Sequence, residues 1–143
     1  IEVASARVSE GEKDAVKMIC RYAQQIGKLD RVEVLGFVDG KASIDWICDC
    51  GGQVINLLAK GSKKHCMHQL KKTPEEHIAD IRASLDYAKQ RGITVNLYLE
   101  DWSGGMKESP EYVYQLIDAL KDTDIKRFIF LSIFWTYVVL LNF

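Results

Sequence analysis

The sequence predicts an α/β protein built around a parallel β-sheet, and three observations support this fold class. Short apolar runs alternate with longer amphipathic runs in units of about 30 residues, which is the pattern of β-α-β crossovers. Gln53–Leu58 is almost continuously apolar, as in a parallel strand covered on both faces. An open doubly wound sheet fits the 143 residues unaided, whereas a (β/α)8 barrel needs about 250 residues. Length alone therefore favours the open sheet over the barrel.

The first half of the chain is predicted to begin with a strand and an amphipathic helix. Ile1–Ala4 is typical of the end of a strand. Ser9 and Glu12 have the spacing of a capping box, and apolar residues then recur at helical spacing until Gly27. The next elements, in order, are a strand over Arg31–Phe37, a helix over Ser43–Cys50 and a strand over Gln53–Leu58.

The second half contains the clearest local signal in the sequence, at Thr73–Glu76. Thr73 suits the N-cap, Pro74 suits the first helical position, and Glu76 completes a capping box. An apolar stripe follows until Gly92 ends the helix. The remaining elements are predicted as a strand over Ile93–Leu99, a helix starting at Ser109 and Pro110, and a strand beginning near Ile125.

The composition excludes several classes of protein. Lys and Arg number 19 against 20 Asp and Glu, so the chain lacks the basic surplus of a dedicated nucleic-acid binder. The four cysteines are expected to be reduced, partly buried thiols of a cytoplasmic protein, because the apolar content suffices for a core without disulfides. The chain opens at Ile1 with no basic and apolar leader. We therefore expect no signal peptide and a gene that starts further upstream.

Polar residues at the predicted carboxyl ends of the strands are the candidates for function, because parallel α/β proteins bind ligands there. Glu100 and Asp101 directly follow one apolar strand, and Glu2 lies in another. His65 lies in a predicted basic loop that would favour an anionic ligand; its other members are Lys60, Lys63 and Lys64.

The remaining histidines and the standard motifs add little. His68 and His77 are predicted to lie on helix surfaces, and the sequence from His65 to His68 has too few ligands for a metal site. The chain contains no Gly-x-Gly-x-x-Gly, no Walker loop and no Gly-x-Ser-x-Gly. Dinucleotide-binding, P-loop and α/β-hydrolase functions therefore lose their main support.

Three stretches carry a family resemblance: Ile1–Ala6, the Gly61–His65 loop before Thr73–Glu76, and Leu99–Asp101. In this order and spacing they resemble the acyl-CoA-dependent Claisen condensation enzymes with a pyruvate-carboxyltransferase-type (β/α)8 barrel. These are the 2-isopropylmalate, homocitrate and citramalate synthases and, more distantly, hydroxymethylglutaryl-CoA lyase. The resemblance covers about residues 1–127 and is colinear with strands two to six of that barrel. It implies a partial barrel and overturns the preference for an open sheet.

The resemblance also implies a metal-assisted condensation of acetyl-CoA with a 2-oxo acid. In the family mechanism a divalent metal (Mg, Mn or Zn) polarises the 2-oxo acid, a base removes a proton from the acetyl methyl group, and the enolate attacks the ketone. Glu2 and Glu100 match catalytic positions. Ser62, His65 and Asp101 match positions that bind substrate or CoA.

This sequence departs from the family pattern at two places. The metal ligands of the family belong to Arg-Asp-Gly and His-x-His motifs, which are absent from the chain, so we expect them outside it. Asn96 and Tyr98 stand where family synthases often have Arg and Ser, which predicts a different 2-oxo acid or a divergent member.

Residues 128–143 form an apolar tail without charge, Gly or Pro. The tail is shorter than a membrane-spanning helix, which needs about 20 residues, and longer than a typical buried strand, which has about 5–6 residues. We therefore predict a partial barrel over 1–127 and an aberrant tail over 128–143, produced by a frameshift or a break in the gene.

Two classes of function follow from these observations. The first is the central part of an acetyl-CoA-dependent synthase, or alternatively of a lyase of the hydroxymethylglutaryl-CoA lyase type. We expect no nucleic-acid or membrane partner, and we expect the complete parent protein to be a homo-oligomer. This chain by itself is predicted to be inactive. The second is a small non-catalytic α/β module that binds a phosphorylated or otherwise anionic ligand.

Overall fold

The computed structural model of the protein describes residues 1–132 and the backbone of residues 139–141. Its centre is a β-sheet in which the strands follow one another in chain order, and the first five strands are parallel. The strands are β1 (Glu2–Ser5), β2 (Glu33–Phe37), β3 (Val54–Lys60), β4 (Thr94–Glu100), β5 (Ile125–Phe130) and β6 (Val139–Leu141).

Helices connect consecutive parallel strands. They are α1 (Glu10–Gln25), α2 (Ala42–Asp49), α3 (Lys63–His68), α4 (Pro74–Gln90), α5 (Trp102–Glu108) and α6 (Pro110–Leu120), with a short 3-10 helix at Leu29–Arg31. The predicted alternation of strands and helices is therefore confirmed. The sequential strand order is that of a (β/α)8 barrel segment, because a doubly wound sheet reverses its strand order at a switch point.

Two helix starts form as their sequences predict. The Thr73 hydroxyl accepts the Glu76 N–H at 3.2 Å, and the Glu76 carboxylate accepts the Thr73 N–H at 2.8 Å, which completes the capping box. Ser9 accepts the Glu12 N–H at 3.1 Å and caps α1. A capping side chain is worth about 1 kcal/mol, so both helices begin at defined residues.

The two faces of the sheet differ in polarity. One face packs against the helices and is apolar; its buried members include Val34, Ile55, Leu57, Leu97, Leu99 and Phe128. The opposite face, here called the inner face, carries polar side chains that alternate with this apolar set: Glu33, Asn56, Lys60, Asn96, Tyr98, Glu100 and Arg127. A parallel strand covered only by apolar groups would carry no such set, so the inner face is the place to look for chemistry.

Two predicted loops are helical. Lys63–His65, predicted as part of a basic loop, begins α3, and the stretch after Asp101 forms α5. Both helices are short, with six and seven residues, which is too few for an amphipathic period to be visible in the sequence.

The apolar tail is described only in part. β5 continues to Phe130, and Val139–Leu141 pairs with it antiparallel, with Phe128 in register with Leu141. The rest of the tail, residues 133–138 and 142–143, lies outside the described residues, so half of the predicted aberrant segment is described. No helix among residues 1–132 is both long and apolar enough to cross a membrane.

Candidate functional site

Most of the predicted site residues meet where β3 and β4 end. Lys60 and Glu100 are the last residues of these two strands and are in register with each other. The Gly61 N–H donates to the Glu100 carbonyl oxygen at 2.6 Å and ties the two strand ends together. We call the set of Lys60, Ser62, His65, Glu100 and Asp101 the strand-end site. It lies at the carboxyl edge of the sheet, as predicted for ligand binding in a barrel.

An ion pair joins Lys60 to Glu100 in this site. The Lys60 ammonium donates to Glu100 Oε2, and the two side chains are 16% and 31% exposed. This pair is sheltered enough that solvent screens it less than an ordinary surface pair. The Glu100 carboxylate is therefore held in a defined orientation and keeps one oxygen for another partner.

His65 and Asp101 form the second pair of the strand-end site. His65 Nε2 lies 3.6 Å from Asp101 Oδ2, which is too long for a hydrogen bond, and the contact becomes an ion pair when the histidine is protonated. Asp101 has φ of 58°, in the left-handed region that Asn and Asp adopt more readily than most other residues with a side chain, and it is the N-cap of α5.

Ser62 is buried and caps a helix. Its hydroxyl accepts the His65 N–H at 3.3 Å at the start of α3, so this bond fixes the position of His65 relative to the end of β3. The hydroxyl proton of Ser62 remains able to donate to a ligand. Lys63 and Lys64 are exposed on α3 and do not join Lys60 at the strand end.

Two glycines allow α5 to approach the end of β3. A Cβ atom on Gly105 would lie 2.1 Å from the Gly61 carbonyl oxygen, and a Cβ atom on Gly61 would lie 3.0 Å from the Trp102 backbone nitrogen. Any side chain at either position would push α5 away from β3. The close contact keeps Asp101, at the N-cap of α5, beside His65.

The structure places Glu2 apart from the strand-end site. Glu2 is the first residue of β1, and its Oε2 accepts a hydrogen bond from Asn56 Nδ2 at 2.7 Å on the inner face. Asn56 Nδ2 also lies 3.0 Å from the Tyr98 hydroxyl oxygen. Burial, together with the charge and hydrogen bond of Glu2, raises the pKa of Tyr98 to about 12. Tyr98 precedes Glu100 by two residues on the same face of β4, so it lies between Glu2 and the strand-end site.

Sequence reasoning missed the rest of this inner-face network. Asn56 Oδ1 accepts from Asn96 Nδ2 at 2.8 Å, and Asn96 Oδ1 accepts from Arg127 Nε at 3.0 Å. Arg127 also pairs with Glu33. Burial opposes ionisation of Glu33, but hydrogen bonds from Arg127 and Asn56 outweigh it and lower the pKa of Glu33. One signal was present in the sequence: each of the strands β2 to β5 carries a polar residue that points to the inner face. This pattern becomes visible only once the strands are aligned.

The prediction for His77 is wrong. Its side chain is 1% exposed, and its Nε2 accepts the Lys60 N–H at 3.1 Å. Burial lowers the pKa of His77 to about 4, so the ring is neutral at neutral pH and Nε2 is free to accept. One signal was present: His77, Ile81, Ser84 and Ala88 share a face of α4 at helical spacing, and all are buried.

The described residues do not form a metal site on their own. Within residues 1–132 no group of three or more His, Cys, Asp or Glu side chains is close enough to hold a metal ion. The carboxylates of Glu2, which is exposed, and of Glu100, which is half-buried, are already engaged by Asn56 and Lys60. The prediction that the metal ligands lie outside this chain stays a prediction. All four cysteines are free thiols, and three of them are buried.

The sequence of the chain is similar to those of several curated synthases. The chain is 36% identical over 128 residues to a 2-isopropylmalate synthase of Sulfolobus acidocaldarius, which covers 89% of this chain and 31% of that protein. It is 36% identical over 116 residues to a homocitrate synthase of Methanopyrus kandleri, which covers 80% of this chain and 28% of that protein. Citramalate synthases match at 25% to 34% identity. No protein-family model matches the chain.

A solved structure supports the fold. A crystal structure of hydroxymethylglutaryl-CoA lyase from Pseudomonas aeruginosa matches with a TM-score of 0.57 at 13% identity, over 69% of this chain and 34% of that one. The chain spans between about a fifth and a third of the length of the curated relatives it matches. Over this span, the homologues of the chain are 2-isopropylmalate, citramalate and homocitrate synthases, at 25% to 36% identity.

Proposed function

We propose that this chain is the central part of an acyltransferase barrel that condenses acetyl-CoA with a 2-oxo acid. The observation that carries the proposal is the strand-end site, where an oriented carboxylate, Glu100, lies at the carboxyl edge of the sheet beside a histidine and a second acid. Substrates of (β/α)8 barrels bind at this edge. The named activities of the relatives support the same chemistry.

In this proposal Glu100 handles a proton at the reacting carbon. Removing a proton from the acetyl methyl group gives an enolate, which attacks the ketone carbon of the 2-oxo acid, and later hydrolysis of the thioester releases CoA. A carboxylate of fixed orientation suits a group that moves a proton within hydrogen-bond reach of the substrate. His65, Ser62 and Asp101 belong to the same strand-end site as Glu100, and in this proposal they supply the donors and the acceptor that bind the substrates.

Glu2 acts from the inner face in this proposal. Its carboxylate accepts a hydrogen bond from Asn56 and lies beside Tyr98, and in strand register Glu2 is level with Thr94, six residues before Glu100. The described residues form no metal site, and in this proposal a divalent metal would be held by residues outside this chain and would polarise the 2-oxo acid. We also propose that the longer parent protein is a cytoplasmic homo-oligomer. This chain without further barrel strands is expected to catalyse no condensation.

The test is kinetic and uses the longer protein that contains this chain. Release of CoA is followed with a thiol reagent, using acetyl-CoA and a panel of 2-oxo acids. The Glu100→Gln variant is expected to lower kcat by about 100-fold or more, since it removes the proton-transferring group without changing the shape of the side chain. Glu111→Gln is the matched control, because Glu111 is exposed on α6. Full turnover in Glu100→Gln, or no CoA release with any 2-oxo acid, would contradict the proposal.

A further inference from the structure

Lys60 is fixed at three points, by its side chain and by both of its backbone polar groups. Its ammonium pairs with Glu100, its N–H donates to His77 Nε2 at 3.1 Å, and its carbonyl oxygen accepts from the Tyr112 hydroxyl at 2.8 Å. His77 and Tyr112 are each 1% exposed and come from α4 and α6. Two buried side chains on two helices thus hold the backbone of one strand-end residue.

These two side chains form the hydrogen bonds that a neighbouring strand would otherwise form with Lys60. The last register pair of β2 and β3 joins Phe37 to Leu58, so Lys60 extends beyond the end of β2. The Gly61 N–H points to β4, and successive strand residues direct their backbone groups to alternate sides, so those of Lys60 point to the side where β2 has ended. A buried backbone group without a partner costs about 1–3 kcal/mol. His77 and Tyr112 supply the partners.

The side chain of Lys60 is occupied rather than offered to solvent. It is 16% exposed and pairs with Glu100, whereas Lys63 and Lys64 are exposed on α3. A lysine that binds an anionic substrate keeps its ammonium group accessible. A lysine that orients a neighbouring carboxylate has the geometry found here.

We propose that Lys60 is a positioning residue for Glu100, and that His77 and Tyr112 hold Lys60 in turn. The proposal rests on the proposed role of Glu100 in the reaction. It adds a chain of contacts that runs from the helix layer, through the end of β3, to the carboxylate. Displacing a reacting group by about 1 Å can cost about 100-fold in rate, so loss of this support should lower kcat rather than substrate affinity.

The first arm of the test does not depend on activity. In the 143-residue chain, NMR is used to measure the scalar coupling across the hydrogen bond between Lys60 ¹⁵Nζ and the Glu100 carboxyl ¹³C. The coupling is expected in the wild-type chain and in Asp101→Asn, and it should vanish in Glu100→Gln. A freely rotating Lys60 ammonium group without this coupling would overturn the proposal.

The second arm measures kinetics in the longer protein. Lys60→Met is expected to lower kcat at least about 10-fold with each KM within about threefold of wild type, and Lys60→Arg should recover most of the loss. Lys28→Met is the matched control, because Lys28 is exposed and precedes β2 at the other edge of the sheet. A tenfold rise in KM with unchanged kcat would make Lys60 a substrate ligand and refute the proposal, as would wild-type kinetics in Lys60→Met.

The third arm tests the support from His77. His77→Gln keeps an acceptor for the Lys60 N–H and should keep the Lys60–Glu100 coupling, whereas His77→Phe removes the acceptor and should weaken that coupling. Far-UV circular dichroism shows whether each variant is folded. If His77→Phe does not fold, Tyr112→Phe replaces it, because this change removes only the hydroxyl group that donates to the Lys60 carbonyl oxygen. An unchanged Lys60–Glu100 coupling in the folded variant that lacks the contact would refute the proposed support. If the longer protein condenses nothing, the proposed function fails, while the coupling still decides whether Lys60 holds Glu100.

Discussion

Replacing His77 with glutamine should remove much of the acid sensitivity of the fold. His77 is buried beneath the end of β3 and accepts a hydrogen bond from the Lys60 N–H. Protonation of Nε2 would remove that acceptor and place a charge in the core. The charged groups that act on the ring are Asp80, which favours protonation, and Lys72 and Lys60, which oppose it.

The magnitude follows from the two pKa values. Burial lowers the pKa of His77 from an ordinary value of 6.5 to about 4 in the folded chain. The unfolded chain therefore takes up a proton as the pH falls below 6.5, while the folded chain does so only near pH 4. Stability from this residue is complete at neutral pH and decreases as the pH falls from 6.5 to 4. The linkage relation gives a loss of about 2 kcal/mol between pH 7.5 and pH 5.0.

Urea unfolding at these two pH values measures the effect. The free energy of unfolding of the wild-type chain should decrease by about 2 kcal/mol more than that of His77→Gln, since every other titrating group is common to both. His68→Gln is the matched control, because His68 is exposed on α3, and it should behave as wild type. An identical pH dependence in wild type and His77→Gln would show that His77 is solvated and would refute the reasoning.

Three further predictions concern packing, the inner face and assembly. Gly105→Ala should destabilise the chain by about 1–3 kcal/mol or more in urea unfolding, because its Cβ would meet the Gly61 carbonyl oxygen. Gly11→Ala in α1 would make only an ordinary van der Waals contact, 3.9 Å from Ser9 Oγ, and should stabilise the chain by about 0.5–1 kcal/mol. Arg127→Leu should destabilise by about 2 kcal/mol, because it leaves Glu33 without its cation, and the Glu33→Gln/Arg127→Leu double variant should recover part of this loss. On a sizing column the 143-residue chain should run as an oligomer, because the outer edge of β1 has no partner strand among the described residues; a clean monomer would contradict this.

The strongly patterned elements could be predicted from sequence because their signals are local. The strands β3 and β4 are long apolar runs, and α4 carries its own capping box and a stripe of apolar residues. The prediction placed each of them within about two residues of its position in the structure. The position of Glu100 and Asp101 at the carboxyl edge of the sheet could be predicted from these elements. The order and direction of the strands are enough to predict which edge of a parallel sheet binds ligands.

The contacts between these elements could not be predicted in the same way. Glu33 and Arg127 pair across 94 positions of sequence, and no local pattern reports such a distance. His77 was predicted to lie on the surface of α4 because histidine is polar, although its neighbours on that helix face are buried. A pattern of residue types does not reveal that the Lys60 N–H needs a hydrogen-bond acceptor at this position. Burial of a polar side chain is decided by what it can bond to in the fold.

The polar residues of the candidate site also specify the register of the sheet. β3 and β4 pair over seven residues, which sets Asn56 beside Asn96 and Lys60 beside Glu100. A slip of β4 by one residue would turn Leu97 and Leu99 to the inner face and send Tyr98 and Glu100 beneath the helices. Burying the Glu100 carboxylate there without Lys60 would cost several kcal/mol. Loss of the Asn96 donor to Asn56 Oδ1 would cost about 1–3 kcal/mol more. The residues assigned to the chemistry therefore also disfavour every one-residue shift that would separate them.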